Sequence, residues 1–384
     1  MDLSNLFDKY KESELYGRYI TQDNISGLIN QLNDTYKVET IGYSEFKKEI
    51  SLITVGKGKK KILMWSQMHG NESTTTKALF DLFNTINDTN EQITNTILEE
   101  CTLYIIPMLN PDGSQLYTRV NQRKVDLNRD AQDVSQSEMK TFLDIVHKVK
   151  PDLALNLHGQ RTIFSAGETN NSAIISFLSP ASDEKRTITE SRKKGMRIIS
   201  EMNNELQKNI PNCIGRYDDG FNINCTGDTL ENLGYTTILF EAGHYPNDYD
   251  REVTRKYIYI SLIKCLDFFA NNIVKGEGYE NYFNIPENGK CFKDIIFRNV
   301  KVNNTIKDIS IQYLEKLEQN KVVFVPRIAQ IESQITDFGH VEYDVAGLNL
   351  EFSNDIDNLR INDEIAYFTL EDEKFSVFPI KKCN

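Results

Sequence analysis

Up to about residue 275 the chain alternates short apolar runs with longer stretches in which apolar residues recur three and four positions apart. The runs at 37–43, 49–55, 61–66, 103–109, 153–157 and 235–240 predict strands. The stretches at 4–12, 24–36, 73–87, 91–99, 135–149, 184–208 and 250–273 predict helices. Between 49–55 and 61–66 lies GKGKKK, a Gly/Lys turn that predicts a hairpin joining the two runs. Asn110-Pro111-Asp112-Gly113 is a turn signal, and the segments 114–133 and 211–229 read as loops.

Beyond residue 275 the pattern changes to short alternating runs (Ile295 to Phe297, Lys321 to Val325, Ala366 to Leu370, Phe375 to Phe378) separated by Asn, Asp and Gly, as in a small β domain. Strands interleaved with helices imply an α/β fold, a mixed central sheet flanked by helices, over residues 1–275, with a smaller C-terminal β-rich domain at 276–384. With 384 residues the chain is long enough for both.

Composition narrows the partners. Net charge is −12, pI is near 5.1, and no basic tract could follow a phosphate backbone, so nucleic acid is excluded as an expected partner. No apolar run reaches the roughly 20 residues that span a bilayer, and the charged N-terminus is unlike a secretory signal. Six scattered cysteines without a CxxC pair suggest reduced thiols, so the expectation is a cytoplasmic protein away from membranes. Oligomeric state is left open.

Chemistry collects where strands stop. The run Ile62-Leu63-Met64-Trp65 leads to His69-Gly70-Asn71-Glu72, that of 153–157 to His158, and that of 235–240 to Glu241. Strand carboxyl ends in an α/β sheet share one edge, so these four can meet. Two histidines and one glutamate form the donor set of an open catalytic zinc site. A carboxylate beside such a site can serve as general base, and Glu241 is the candidate.

The strings His69-Gly70-Asn71-Glu72, Asn110-Pro111-Asp112-Gly113, Arg119 followed by Asp126-Leu127-Asn128-Arg129, Asn156-Leu157-His158-Gly159 and Phe240-Glu241 together resemble the zinc carboxypeptidase family of carboxypeptidase A, in that family's order, over roughly 60–275. The segment Ala242-Gly243-His244 is closer to bacterial members. The resemblance implies one zinc ion on His69, Glu72 and His158, an oxyanion-stabilising Arg119, recognition of a substrate carboxylate by Asn128 and Arg129, and Glu241 as base. Tyr217 is the nearest match to the family's mobile tyrosine. Arg119 suits that role because a guanidinium can stabilise charge developing on a carbonyl oxygen, and Arg129 because its planar fork matches a carboxylate. The implied activity is removal of a C-terminal residue from a peptide. A looser resemblance to the succinylglutamate desuccinylase and aspartoacylase group implies an alternative, deacylation of a small N-acyl amino acid; either substrate carries a free carboxylate. A non-catalytic module that binds carboxylate termini is the reading from a different class.

The bland reading of Arg119 and Arg129 is a structural ion pair with Asp126 or Asp130. His147 and His244 read as ordinary, His340 as a surface residue of the β domain, and Asp112 and Gly113 as turn chemistry.

Overall fold

The computed structural model describes residues 3–371, 373–376 and 381–382. Two short helices open it, α1 (Leu3–Tyr10) and α2 (Gln22–Asn30), followed by β1 (Lys37–Tyr43), β2 (Glu49–Gly56), β3 (Lys60–Ser66), α3 (Thr74–Asn87), α4 (Gln92–Glu100), β4 (Cys101–Ile106) and α5 (Pro111–Leu116). Next come α6 (Ser137–Val149), β5 (Leu153–Gly159), the two-residue β6 (Ser165–Ala166), β7 (Ile175–Leu178), α7 (Glu190–Leu206), β8 (Ile214–Arg216), α8 (Thr226–Asn232), β9 (Thr237–Ala242) and α9 (Glu252–Asn271). One eight-stranded sheet takes the order β1-β2-β4-β3-β5-β9-β7-β8. Its centre is parallel, β4 with β3, β3 with β5 and β5 with β9; β1 with β2, β2 with β4 and β7 with β9 are antiparallel.

The central strands bury both faces, which is why their sequences are continuous apolar runs. Met64 and Ile62 of β3 face a core closed by α3 and α9 (Leu79, Phe83, Ile258, Leu262), whereas Leu63 and Trp65 face α6, with the Trp65 and Phe142 rings 4.6 Å apart. Helices on both faces fix the sheet's position and leave the carboxyl edge of β3, β5 and β9 as the open rim.

The predicted hairpin between 49–55 and 61–66 does not form. β4 lies between β2 and β3 and pairs with both, so the GKGKKK segment is a crossover past the α4–β4 corner. Lys57 N–H donates to the Leu98 carbonyl and Gly58 N–H to the Cys101 carbonyl, and a Cβ at Gly58 would stand 1.8 Å from the Glu100 carbonyl carbon. The glycine is there for close approach, not for a tight turn. Other corrections are local. Residues 211–229, read as loop, include β8 and the first turn of α8; β7 was not anticipated at all; and α7 starts at Glu190, where Thr189 caps it through Arg192 N–H. Asp112 is more than turn chemistry: its carboxylate accepts from the Ser44 hydroxyl (2.9 Å) and Phe46 N–H (3.0 Å), pinning the β1–β2 loop.

After α9 the chain crosses β10 (Asn288–Gly289), which pairs with β6, into β11 (Phe292–Val302), β12 (Thr305–Glu318), β13 (Lys321–Glu332) and β14 (Phe338–Asp344), a sheet of order β13-β12-β11-β14. A second small sheet holds β15 (Leu350–Phe352), β16 (Tyr367–Leu370), β17 (Glu373–Ser376) and β18 (Lys381–Lys382), with Phe297, Phe352 and Phe368 in the core between the sheets. Of the run expected at Phe375 to Phe378, Val377 and Phe378 lie outside the described residues, as does Cys383. The other five cysteines are free.

The β sheet is fastened to the α/β part by polar bonds. Arg18 donates to both carboxylate oxygens of Glu315 (3.0 and 2.9 Å), which also accepts from the Tyr117 hydroxyl at 2.5 Å. Asp294 accepts from the Tyr249 hydroxyl (2.9 Å), and Gln312 donates to Thr162 Oγ1 (2.8 Å). His340, expected at the surface, belongs to this seam: its Nε2 donates to the Thr162 carbonyl at 2.8 Å and its ring stacks on Phe292 with centroids 4.5 Å apart. Burial lowers its pKa to about 4, so it is neutral in the folded protein.

Candidate metal centre

β3 ends at Ser66, and a short connection carries His69 to the rim before α3 begins at Thr74. Glu72, three residues on, lies at the threshold of that helix, with its N–H bonded to the His69 carbonyl (3.1 Å). His158 sits near the end of β5, and Glu241 is its register partner on β9, so parallel pairing alone puts the two side by side. Close approach is helped by Gly159, whose N–H donates to Glu72 Oε2 at 3.0 Å.

The three expected metal ligands converge. His69 Nδ1 is 2.9 Å from Glu72 Oε1, His158 Nδ1 is 2.9 Å from Glu72 Oε2, and the two Nδ1 atoms are 3.0 Å apart. One donor atom from each lies within 4.8 Å of the other two. Both imidazoles present the same nitrogen to one point, and both are 2 % exposed. Two nitrogens and one carboxylate fit a catalytic zinc site with an open position. The outer nitrogen of His69, Nε2, is 3.1 Å from Asp126 Oδ1, the carboxylate–imidazole arrangement that fixes ring orientation at metal sites. His158 Nε2 is buried without a hydrogen-bond partner among the described residues.

The electrostatics follow from the crowding. Burial disfavours the Glu72 charge, yet the adjacent imidazoles hold its pKa well below the usual range. Burial and then the charge of His69 push His158 down, so it favours the neutral form that ligates metal. Glu241 has an Oε2 buried without a partner; burial, and after it the Glu72 carboxylate, push its pKa well above normal, with Arg119 and Arg251 pulling the other way. A cation at the three-ligand point would restore its charged form.

Arg119 stands at the mouth, nearly half exposed, with Nε 2.9 Å from Asp126 Oδ2 and an Nη1 3.5 Å from Glu72 Oε1. Its ion pair with Asp126 is therefore present, and Asp126 links Arg119 to His69. The pair suggested for Arg129 with Asp130 is absent among the described residues: Asp130 accepts from Ser135 and Gln136 instead, and Arg129 bonds only the Asn128 carbonyl (2.7 Å). Asn128 Oδ1 accepts from Thr226 N–H at 3.0 Å, which ties the 127–129 turn to α8. Tyr217 packs its ring on Phe164 (centroids 5.2 Å apart), and both residues line the same cleft. His244 is buried against Tyr249 and His340, away from the three ligands.

All eight expected site residues border one cavity of about 680 Å³. Sequence reasoning missed Asp126 as the outer partner of His69; its place in Asp126-Leu127-Asn128-Arg129 was the available signal. It also missed Gln312 to Glu315 of β12, with Arg18 and Asp294, as lining residues of this cavity, for which no local signal exists.

A family model for the zinc carboxypeptidases matches residues 23–232, a span that holds the three ligands, Arg119, Asn128, Arg129 and Tyr217 and stops short of Glu241. Carboxypeptidase SOL1 of Arabidopsis thaliana is 27 % identical over 159 residues, 38 % of this chain and 32 % of that one. The chain spans about a third of the length of the curated relatives it matches. A metallo-carboxypeptidase from Burkholderia cenocepacia superposes with a TM-score of 0.52 at 18 % identity, over 65 % of this chain and 70 % of that one. One from Pseudomonas aeruginosa, in complex with (2-guanidinoethylmercapto)succinic acid, gives 0.51 at 16 %, over 66 % and 69 %. At such identities the structural likeness establishes the fold, and the family match, covering more than half of the sequence, establishes descent: this chain belongs to the zinc carboxypeptidase family.

Proposed function

We propose that the protein is a zinc-dependent hydrolase that removes the C-terminal residue of a peptide. The observation that carries this reading is the convergence of His69 Nδ1, Glu72 and His158 Nδ1 on one point beside the unpartnered carboxylate oxygen of Glu241. A zinc ion held by those three residues would supply an acidified water and polarise the scissile carbonyl.

The chain's own groups do the rest. Glu241 takes the proton from the attacking water and returns it to the departing amine, a relay suited to a carboxylate whose pKa burial has raised. Arg119, held at the mouth by Asp126, donates to the oxygen that becomes negative as the carbonyl turns tetrahedral. Asn128 and Arg129 orient the substrate by its terminal carboxylate, for which the Arg129 fork is held in no ion pair among the described residues. Tyr217 covers the bound residue from the Phe164 side.

A second reading has one observation in its favour. Gln312 to Glu315 of β12 line the cleft together with the expected site residues, and a cleft walled in part by the β domain suits a small N-acyl amino acid. The test is zinc content by elemental analysis combined with turnover of short peptides and N-acyl amino acids, with and without chelator. The peptidase reading expects about one zinc per chain and chelator-sensitive release of the C-terminal residue; a fully active metal-free protein would end it.

A further inference from the structure

Five arginines border the cleft, and three of them are already engaged. Arg18 is paired with Glu315, Arg119 with Asp126 and Glu72, and Arg251, buried, donates to the carbonyls of Ala242 (2.7 Å) and Gln160 (2.9 Å). Arg129, in no ion pair among the described residues and bonded to the Asn128 carbonyl, is assigned to the terminal carboxylate above. Arg161 remains: an exposed side chain with no hydrogen bond or ion pair to any described residue.

Arg129 and Arg161 are anchored through their neighbours to different elements. Arg129 follows Asn128, which is bonded to α8. Arg161 precedes Thr162, which accepts from Gln312 of β12 and, through its carbonyl, from His340. Both arginines border the cavity that the three expected ligands border, so a substrate whose C-terminal carboxylate lies on Arg129 would have its acyl part within the same cleft as Arg161. A guanidinium with no acid partner among the described residues, near the half-buried Phe164–Tyr217 ring pair, is placed for an anionic group that arrives with the substrate.

We propose that Arg161 is a specificity-determining residue that receives a carboxylate carried on the acyl side of the scissile bond, which rests on the hydrolase reading above. Two sources present that chemistry, an acidic penultimate side chain or a dicarboxylic acyl group.

The test compares acetyl-Glu-Phe with acetyl-Gln-Phe, and N-succinyl-Phe with N-butanoyl-Phe, on the zinc-loaded full chain and on Arg161→Gln and Arg161→Glu. Calorimetric Kd values for the cleaved acids (N-acetylglutamate against N-acetylglutamine, succinate against butyrate) give a readout independent of turnover. Wild type is expected to favour the acidic member of at least one pair by about tenfold or more, the scale of a charge-assisted bond. Arg161→Gln should bring the ratio within about twofold, and Arg161→Glu should invert it. The pair that responds identifies the source. A wild-type ratio near one, or a ratio unchanged in both variants, overturns the proposal. If no substrate turns over while the Kd ratio still depends on Arg161, the hydrolase reading falls and the carboxylate site stands; turnover with a flat ratio sinks this inference alone.

Discussion

Glu241 and Asp126 are both carboxylates that border or brace the same site, yet their surroundings differ. Glu241 has a bare, buried oxygen and a raised pKa, whereas Asp126 is committed to His69 Nε2, Arg119 Nε and the Asn128 N–H. Glu241→Gln keeps the shape and removes the proton acceptor, so kcat should fall at least a hundredfold with zinc content unchanged; kcat/KM within threefold of wild type would show that another group is the base. Asp126→Asn keeps an acceptor for the turn but weakens the hold on His69, and zinc affinity measured by competition with a chromophoric chelator should drop about 10- to 100-fold. His158→Ala, by contrast, should abolish stoichiometric zinc binding. Most of this was legible in the sequence, because His69-Gly70-Asn71-Glu72 and His158 stand at the ends of apolar runs whose strand character is plain. Arg161 was not, since nothing local distinguishes an unpaired arginine from a paired one.

At the level of single elements, two features await measurement. The α4–β4 corner presses on Gly58 so tightly that even a methyl group meets backbone; Gly58→Ala should cost about 2 kcal/mol or more in urea unfolding, a large effect for one carbon, and a change under 0.5 kcal/mol would show that the crossover is loosely packed. The α8–β9 junction holds Glu231, 2 % exposed, accepting from Thr237 N–H (2.8 Å) and the Ser191 hydroxyl (2.7 Å). Burial raises its pKa to about 7 against an ordinary 4.5. Between those values the folded chain binds more protons at this site than the unfolded one, so its contribution to stability is greatest at low pH and declines as pH rises from about 4.5 to about 7. Glu231→Gln should therefore gain in Tm relative to wild type at pH 8 compared with pH 5; a pH-independent difference would contradict the shift. Elements with strong periodicity were readable beforehand, as α3, α6 and α9 were. The hairpin was misread because a Gly/Lys turn between two apolar runs looks the same whether its strands pair with each other or admit a third between them.

For the molecule as a whole, the β domain is part of the cleft as well as an appendage to it. Its attachment runs through Arg18, Glu315 and Tyr117, drawn from the N-terminal segment, β12 and the end of α5. Arg18→Ala and Glu315→Ala should each lower Tm by several degrees, and the double variant should lose less than the sum, because either change alone strands the other charge at a partly buried seam. Strict additivity in that cycle would mean that the pair does not hold the domains together. Loosening the seam should also raise KM for small N-acyl amino acids by withdrawing the β12 wall.

The sequence by itself determined the layered α/β framework, the change to β structure after about residue 275, and the candidate donors His69, Glu72 and His158, because these depend on hydrophobic period and on residue types at strand ends, which are local properties. Only the tertiary structure decided that β4 separates β2 from β3, that Asp126 braces His69, that His340 lies in a seam instead of at the surface, and that β12 lines the cleft. Each of these is a contact between segments far apart in the chain, fixed by which buried faces and unpaired polar groups find one another on folding, and no window of neighbouring residues carries that information.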